Sequence, residues 1–413
     1  MSRKCALVVG LALLSMPALA AEMQPVVVHT FACTGNVALR IGKCPDGGRA
    51  DSIAQGSDGN FYGAAQVSME GDSAPNGGSV FSLTPTGTIK VLHTFTAGPN
   101  KNYPNGNLPG FITEGPDGKL YGEALFGGIG GCNGYCGNGV LFRVNRDGTG
   151  FQVVHEYCSA TNCTDGTGGG ALFAGTDGNL YGTTYSGGAN NNGTIFRVTA
   201  ATGKYEVVFN FNYFVSGTDP SSMVVAKDGT FWGVSFGNLS ELLFHYTEVS
   251  GDMQTFPVKF PLINGLPSRG GTLTLGANGN FFGLYHVYAK SGMGMFEVDP
   301  DGSNLRLFPF YTTQEGAGDP LEMLLGTDGN FYLDDYNGKS GYGDIMELSP
   351  TTGQIIRVLA PFGASAAVGA YPTQIIQASD GTFWGVTDQY GKVPSGEFAD
   401  GTVFHANLGL PPQ

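Results

Sequence analysis

Asp177-Gly178-Asn179-Leu180-Tyr181-Gly182 is the stretch whose reading decides the fold, because versions of it recur seven times along the 413 residues. The copies begin at Asp58, Asp117, Asp177, Asp228, Asn278, Asp328 and Asp380, with spacings of 59, 60, 51, 50, 50 and 52 residues. A period in this range signals a repeat architecture. In each copy Asp-Gly or Asn-Gly lies between two apolar runs, a strong hairpin signal. Glycine accepts positive φ there, and the preceding Asp or Asn can bond its own backbone. Two large apolar residues follow, such as Phe61-Tyr62, Leu180-Tyr181 or Phe383-Trp384. Strand neighbours point to opposite faces, so this pair predicts a sheet covered on both sides.

A second apolar run follows each hairpin, Gly193-Thr194-Ile195-Phe196-Arg197-Val198 in the third copy. A second turn comes next, as at Thr202-Gly203, and then a run ending in an aromatic, clearest at Val91-Leu92-His93-Thr94-Phe95. Each unit therefore has four strands, a to d. The first turn occurs seven times but the second only six, and the chain stops soon after strand c of the seventh unit. The missing strand is at the other end: Val27-Val28-His29-Thr30-Phe31 matches Val91–Phe95 closely. This predicts an all-β fold, a seven-bladed β-propeller of four-stranded antiparallel blades, with the N-terminal strand completing the last blade and closing the ring. An open β-solenoid would not need the displaced strand.

Residues 1–20 read as an export signal: Arg3 and Lys4, an apolar run from Ala6 to Leu14, and Ala18-Leu19-Ala20 as the cleavage pattern. The run is too short to span a bilayer, and no later stretch is long and apolar enough for a membrane helix. Residues 21–413 are expected to form one propeller domain. Gly is abundant (68 residues) and charged residues are scarce (13%), as frequent tight turns require. The net charge of −14 becomes more negative once Arg3 and Lys4 are removed, which argues against nucleic acid as a partner. A monomer is expected.

Six cysteines remain after cleavage: Cys33, Cys44, Cys132, Cys136, Cys158 and Cys163. An even number in an exported chain suggests three disulfides. Strand parity puts all six on the face that carries the b–c loops and the d-to-a crossovers, here called the top. Local pairs are the simplest arrangement, and bridges between the second-blade loop and the next crossover are also compatible. The longest and most varied loops share this face, and loops on a rigid scaffold are where binding usually resides.

The third unit, Asp177 to Gly188 followed by Gly193–Val198, resembles the GloVer-type repeat of bacterial exported proteins called choice-of-anchor tandem repeat proteins. Units one and two match well, units four to six are more diverged, and Gly401-Thr402-Val403-Phe404 is similar to the family's last repeat. The resemblance implies a secreted, periplasmic or surface propeller of bacterial origin, with no established biochemical role. The residues up to Gln413 are read as carrying no C-terminal sorting anchor, so attachment through one is not expected.

Chemistry-bearing motifs are sparse. There is no Gly-x-Ser-x-Gly elbow, no His-Glu-x-x-His and no phosphate loop. The turn Asp residues lack the alternating carboxylates of a calcium loop and are expected to cap turns. Strand a lines the channel, where Glu114, Lys227, Glu322, Gln374 and Gln377 are the polar candidates. His29 and His93, with His155 close to their register, repeat on the outer strand and suit packing. His286, between Tyr285 and Tyr288 at the top of unit five, is the best single candidate for a ligand contact or base. The expectation is an exported, non-enzymatic propeller that binds a glycan or a protein through its top face, with no cofactor. A metal-assisted lyase or hydrolase, in which His286 would meet two carboxylates at the channel mouth, and a structural envelope component are the alternatives.

Overall fold

The computed structural model describes residues 25–36, 41–67, 77–98, 103–128, 137–221, 223–237, 241–263, 266–287, 292–312, 320–338, 341–363, 367–392 and 397–413. They form seven antiparallel sheets, one per repeat, arranged in a ring. The seventh sheet runs Ala370–Gln377, Phe383–Gln389, Glu397–Ala406 and then Val26–Asn36, whose end also pairs with the short strand Ile41–Lys43. Val27 lies opposite Phe404, Thr30 opposite Thr402 and Cys33 opposite Phe398. The N-terminal strand therefore closes the ring, as its match to Val91–Phe95 predicts. Among the described residues the only helical turn is a short 3-10 segment at Thr161–Cys163, and no helix is long and apolar enough to cross a membrane.

The paired apolar residues after each turn form the interfaces between blades. The second member of one pair packs on the first member of the next. Trp384 stacks on Phe61 at 3.9 Å, Trp232 meets Phe281 at 4.9 Å, and Tyr332 meets Phe383 at 4.4 Å. Where the next blade offers leucine, Tyr62 and Leu120, or Tyr121 and Leu180, share one core cluster. The inner strands are also linked by hydroxyl donors. Thr373 donates to the Ala50 carbonyl, Ser52 to that of Gly110 and Thr274 to that of Met323. The junction between blades 7 and 1 is thus built like the others.

The turn carboxylates cap their hairpins. Asp177 accepts from the Asn179 amide at 2.9 Å and from the Tyr181 hydroxyl at 2.8 Å. Asp58 and Asp328 repeat both bonds with Tyr62 and Tyr332. In blades 4 and 7 the tyrosine is Trp232 or Trp384, and the indole donates to Thr230 or Thr382 in the same turn. Blade 5 has Asn278 with Phe282: Asn278 Oδ1 still accepts the Asn280 amide at 3.1 Å, while the second carboxylate oxygen and the hydroxyl that would donate to it are absent together. We predict that Tyr332→Phe and Asp328→Asn each cost about 1 kcal/mol, and that the double change costs clearly less than their sum. Denaturant unfolding of the four proteins checks this.

Cys33–Cys44 and Cys158–Cys163 are disulfides, both local pairs. Cys132 and Cys136 lie outside the described residues. The a–b and c–d turns share the bottom face: Arg146, beside a c–d turn, donates to Ser57 at 2.7 Å and pairs with Glu114.

Candidate functional site at the channel mouth

In blades 1 to 4 and 7 the chain enters strand a from a left-handed glycine, followed two residues later by a second left-handed residue. In blades 1, 2 and 7 these are Gly47 and Arg49, Gly106 and Leu108, and Gly369 and Tyr371, with φ of 53°, 54° and 60° at the non-glycine members. Such conformations disfavour residues with a Cβ and often mark functional positions. A β-bulge follows: Ala50 pairs with Ala65 and Ser52 with Ala64, leaving Asp51 as the extra residue. Blade 7 repeats the bulge between Pro372 and Gln374, and blade 6 between Pro320 and Met323. Bulges re-aim side chains, and here they serve the top of the channel.

Three blades bring carboxylates together at this mouth. Asp51 from blade 1 accepts from Gln66 Nε2 at 2.8 Å. Glu322 from blade 6 accepts from Gln374 Nε2 at 3.2 Å, while Gln374 Oε1 accepts the Ile53 amide at 2.7 Å. Asp388 from blade 7 accepts from the Tyr336 hydroxyl at 2.8 Å and pairs with exposed Arg49 at 3.3 Å. Asp334 is fully buried behind Glu322. Its Oδ1 accepts the Glu322 amide at 3.0 Å, and its Oδ2 has no partner among the described residues. Half-buried Tyr336, which bonds Asp388, stacks on half-buried Tyr371 at 5.0 Å, and half-buried Tyr342 and Tyr390 lie beyond it, 6.0 Å and 6.4 Å from the Tyr371 ring.

Burial, then Asp388 and Glu322, push the Asp51 carboxyl up to about 6. Burial also raises Glu322, and burial followed by Glu322 holds Asp334 far above the usual carboxylate range, in its neutral form. The sign for Asp51 follows from linkage. Its folded value exceeds its unfolded one, so the folded state binds the extra proton, and stability falls as pH rises from about 4 to about 6. Asp51→Asn is therefore expected to raise the melting temperature more at pH 7.5 than at pH 4.5. Melting curves at both pH values check this.

Of the polar residues predicted on strand a, only Glu322 and Gln374 meet at the mouth. Glu114 is at the bottom, bound to Ser57 and Arg146. Gln377 bonds Thr327 there at 3.0 Å, and Lys227 lies exposed in a bottom turn. Tyr285 is 1% exposed and packs in the core shared by blades 4 and 5. The backbone of His286 pairs with Arg269 and Met293; its side chain and Tyr288 lie outside the described residues. His286 nevertheless occupies the repeat position of Gln66, Tyr336 and Asp388, eight residues after the turn Asp or Asn. Tyr285, one residue earlier, has the opposite parity and faces the core.

Asp51, Asp334 and Asp388 were not evident from the repeat read as a pattern. A signal does exist: Asp51 is the one charged residue seven positions before the turn, where the other blades have Gly110, Gly170, Ser221, Gly271, Leu321 and Thr373. Among the described residues the only metal-sized group is Cys33, Cys44 and Asp400, and its cysteines form a disulfide. The mouth carboxylates do not close to within reach of one ion.

The structure is similar to the extracellular domain of BT4673 from B. thetaiotaomicron (TM-score 0.55, 13% identity, covering 95% of this chain and 43% of that one). A second structure of that domain gives a TM-score of 0.54 at 12% identity, with 94% and 44% covered, so the chain spans less than half the length of either. A prolyl endopeptidase structure aligns at a TM-score of 0.51 and 13% identity, with 87% and 50% covered. At these identities the likeness is one of fold. No curated protein matches the sequence. Residues 48–256, half of the chain and in effect its first four blades, match the Gloeobacter/Verrucomicrobia repeat, and the chain belongs to that repeat family.

Proposed function

We propose that this chain is an exported, non-enzymatic recognition protein that seats a glycan at the channel mouth of blades 6, 7 and 1. The observation that carries the reading is a run of four half-buried tyrosines, joined to Asp388 through Tyr336, at a mouth whose carboxylates and amides come from three blades. Tyrosine faces stack on sugar rings, while Asp51, Asp388 and Gln66 offer acceptors and donors for hydroxyl groups. Export is supported by the reading of residues 1–20 as a signal, by two disulfides and by likeness to an extracellular domain. Residues 21–413 would act as one domain, as a monomer.

A glycan array probed with the wild type and with Tyr336→Ala tests the proposal. Saccharide binding that weakens at least tenfold in the variant supports it. The absence of any saccharide binding overturns it, and a bound surface protein would place the chain among protein-binding propellers. A hydrolytic reading rests on one observation, the carboxyl of Asp51 held near neutrality beside two others, which suits a general acid. New reducing ends released from a bound glycan would favour it.

A further inference from the structure

On the bottom face, residues 408–413 lie in the groove between the a–b turns of blades 6 and 7. Thr327 of the blade 6 turn donates to the Pro411 carbonyl at 2.8 Å, and the Gln413 amide donates to the Ser379 carbonyl of the blade 7 turn at 3.3 Å. Leu408 and Leu410 turn inward onto the core that holds Tyr332 and Phe383. A Cβ at Gly381 would collide with the carbonyls of Leu410 and Pro411. One junction earlier the corresponding groove is open. A cavity of about 200 Å³ lies between the turns of blades 5 and 6, with Ala277 and Pro350 at its sides and Phe282 and Phe331 at its base. Gly329 there corresponds to Gly381, and an added Cβ meets no atom within 4 Å among the described residues. The same architecture thus holds an extended apolar segment at one junction and presents a cavity at the next.

The polar groups of the cavity limit what can enter. Glu297 is 1% exposed, and its oxygens take Asn278 Nδ2 at 3.0 Å, Asn280 Nδ2 at 2.8 Å and the Arg306 guanidinium. The carboxylate is largely spent as an acceptor. Arg306, whose side chain is 57% exposed, has further N–H groups to give. A segment entering here must bring carbonyls and few N–H groups of its own. Proline meets that condition, because it has a carbonyl and no N–H. The filled groove shows the same match, since the carbonyl that accepts from Thr327 belongs to Pro411.

We infer that the groove between blades 5 and 6 is a peptide-binding site for an extended leucine- and proline-containing segment of a partner protein, with its apolar side chains over Ala277 and Pro350 and its carbonyls on Arg306. Proline also pre-sets an extended backbone and so lowers the entropy lost on binding. The groove is on the face opposite the channel mouth, and the inference is independent of the glycan reading.

Fluorescence anisotropy of a labelled peptide Leu-Gly-Leu-Pro-Pro-Gln, the sequence of residues 408–413, titrated with the full chain tests the inference. The peptide is expected to bind roughly fivefold or more tightly than the same peptide with both prolines replaced by alanine. Ala277→Tyr fills the groove and is expected to weaken binding about tenfold or more. Position 277 is an exposed turn position where other blades carry serine, proline, threonine or lysine, so the fold accepts the change, and melting curves verify it. Lys227→Tyr, the same change one blade earlier, should leave the affinity as it was. No binding to the full chain, equal affinity for the alanine peptide, or binding that survives Ala277→Tyr would each overturn the inference. Binding lost in Lys227→Tyr as well would overturn the assignment to this groove. Every one of these outcomes leaves the glycan reading to its own test.

Discussion

Phe31→Ala is expected to destabilise the folded chain by about 3–5 kcal/mol, as complete truncation of a buried aromatic does. Phe31 is fully buried on the strand Val26–Asn36 and packs edge-on against Phe81 of blade 1 at 5.4 Å. It therefore sits where the end of the ring meets its beginning. Its counterpart Phe95 occupies the same place between blades 1 and 2, against Phe142 at 5.2 Å. Phe95→Ala should cost a similar amount through packing alone. Loss of Phe31 also loosens the strand that covers Glu397–Ala406, whose open edge would then offer unpaired backbone groups to other chains. The Phe31 variant should thus show both a lower denaturation midpoint and greater aggregation on heating, whereas Phe95→Ala should show mainly the first. Equilibrium unfolding with light scattering measures both. A cost below about 1 kcal/mol for Phe31→Ala would mean that this strand does not close the ring.

The second large effect concerns Gly169. A Cβ there would overlap the carboxyl of Glu123 and the hydroxyl of Tyr157, two groups that are buried and bonded to each other at 2.5 Å. Burial raises the Glu123 carboxyl well above its ordinary value and keeps it neutral, with Tyr157 as its donor. Neither group can move aside without leaving a polar atom unpaired in the core, so Gly169→Ala should cost about 2–4 kcal/mol. The collision can be separated from any other effect. Glu123→Ala opens the space but leaves the Tyr157 hydroxyl without an acceptor, at about 1–3 kcal/mol. In the double variant the alanine at 169 meets a smaller neighbour, so the two costs should fall short of additive by at least about 1 kcal/mol. Strict additivity would show that Glu123 is not what requires glycine at this position.

Residues adjacent in sequence were enough to read the hairpins, the two-sided sheets and the ring. Asp177, Gly178 and Tyr181 satisfy one another within a single turn, and the apolar pair that follows must be covered on both faces wherever it occurs. The match between Val27–Phe31 and Val91–Phe95 was sufficient to locate the closing strand, because a strand missing from one end of a repeat array has to be supplied from the other. The same parity rule that reveals the two-sided sheets also separates Tyr285 from His286, neighbours at the top of unit five. Tyr285 went into the core because alternate residues on one strand cannot face the same side.

What the sequence by itself determined about this protein is the repeat, its four-stranded unit and the closure of seven such units. Those follow from turn geometry and from the burial of neighbouring apolar residues, which are local requirements. Only the tertiary structure decided that Asp51, Glu322 and Asp388 share one mouth, that Asp334 lies buried behind them and that Tyr336 and Tyr371 stand beside them. Asp51 comes from the first repeat and the others from the last two, and no turn or strand relates the residues of one of these blades to those of another. The curvature of the closed ring brings blades 6, 7 and 1 together, and the bulges of the inner strands aim their acids. The electrostatics of the site is therefore a property of that closure, absent from any one repeat.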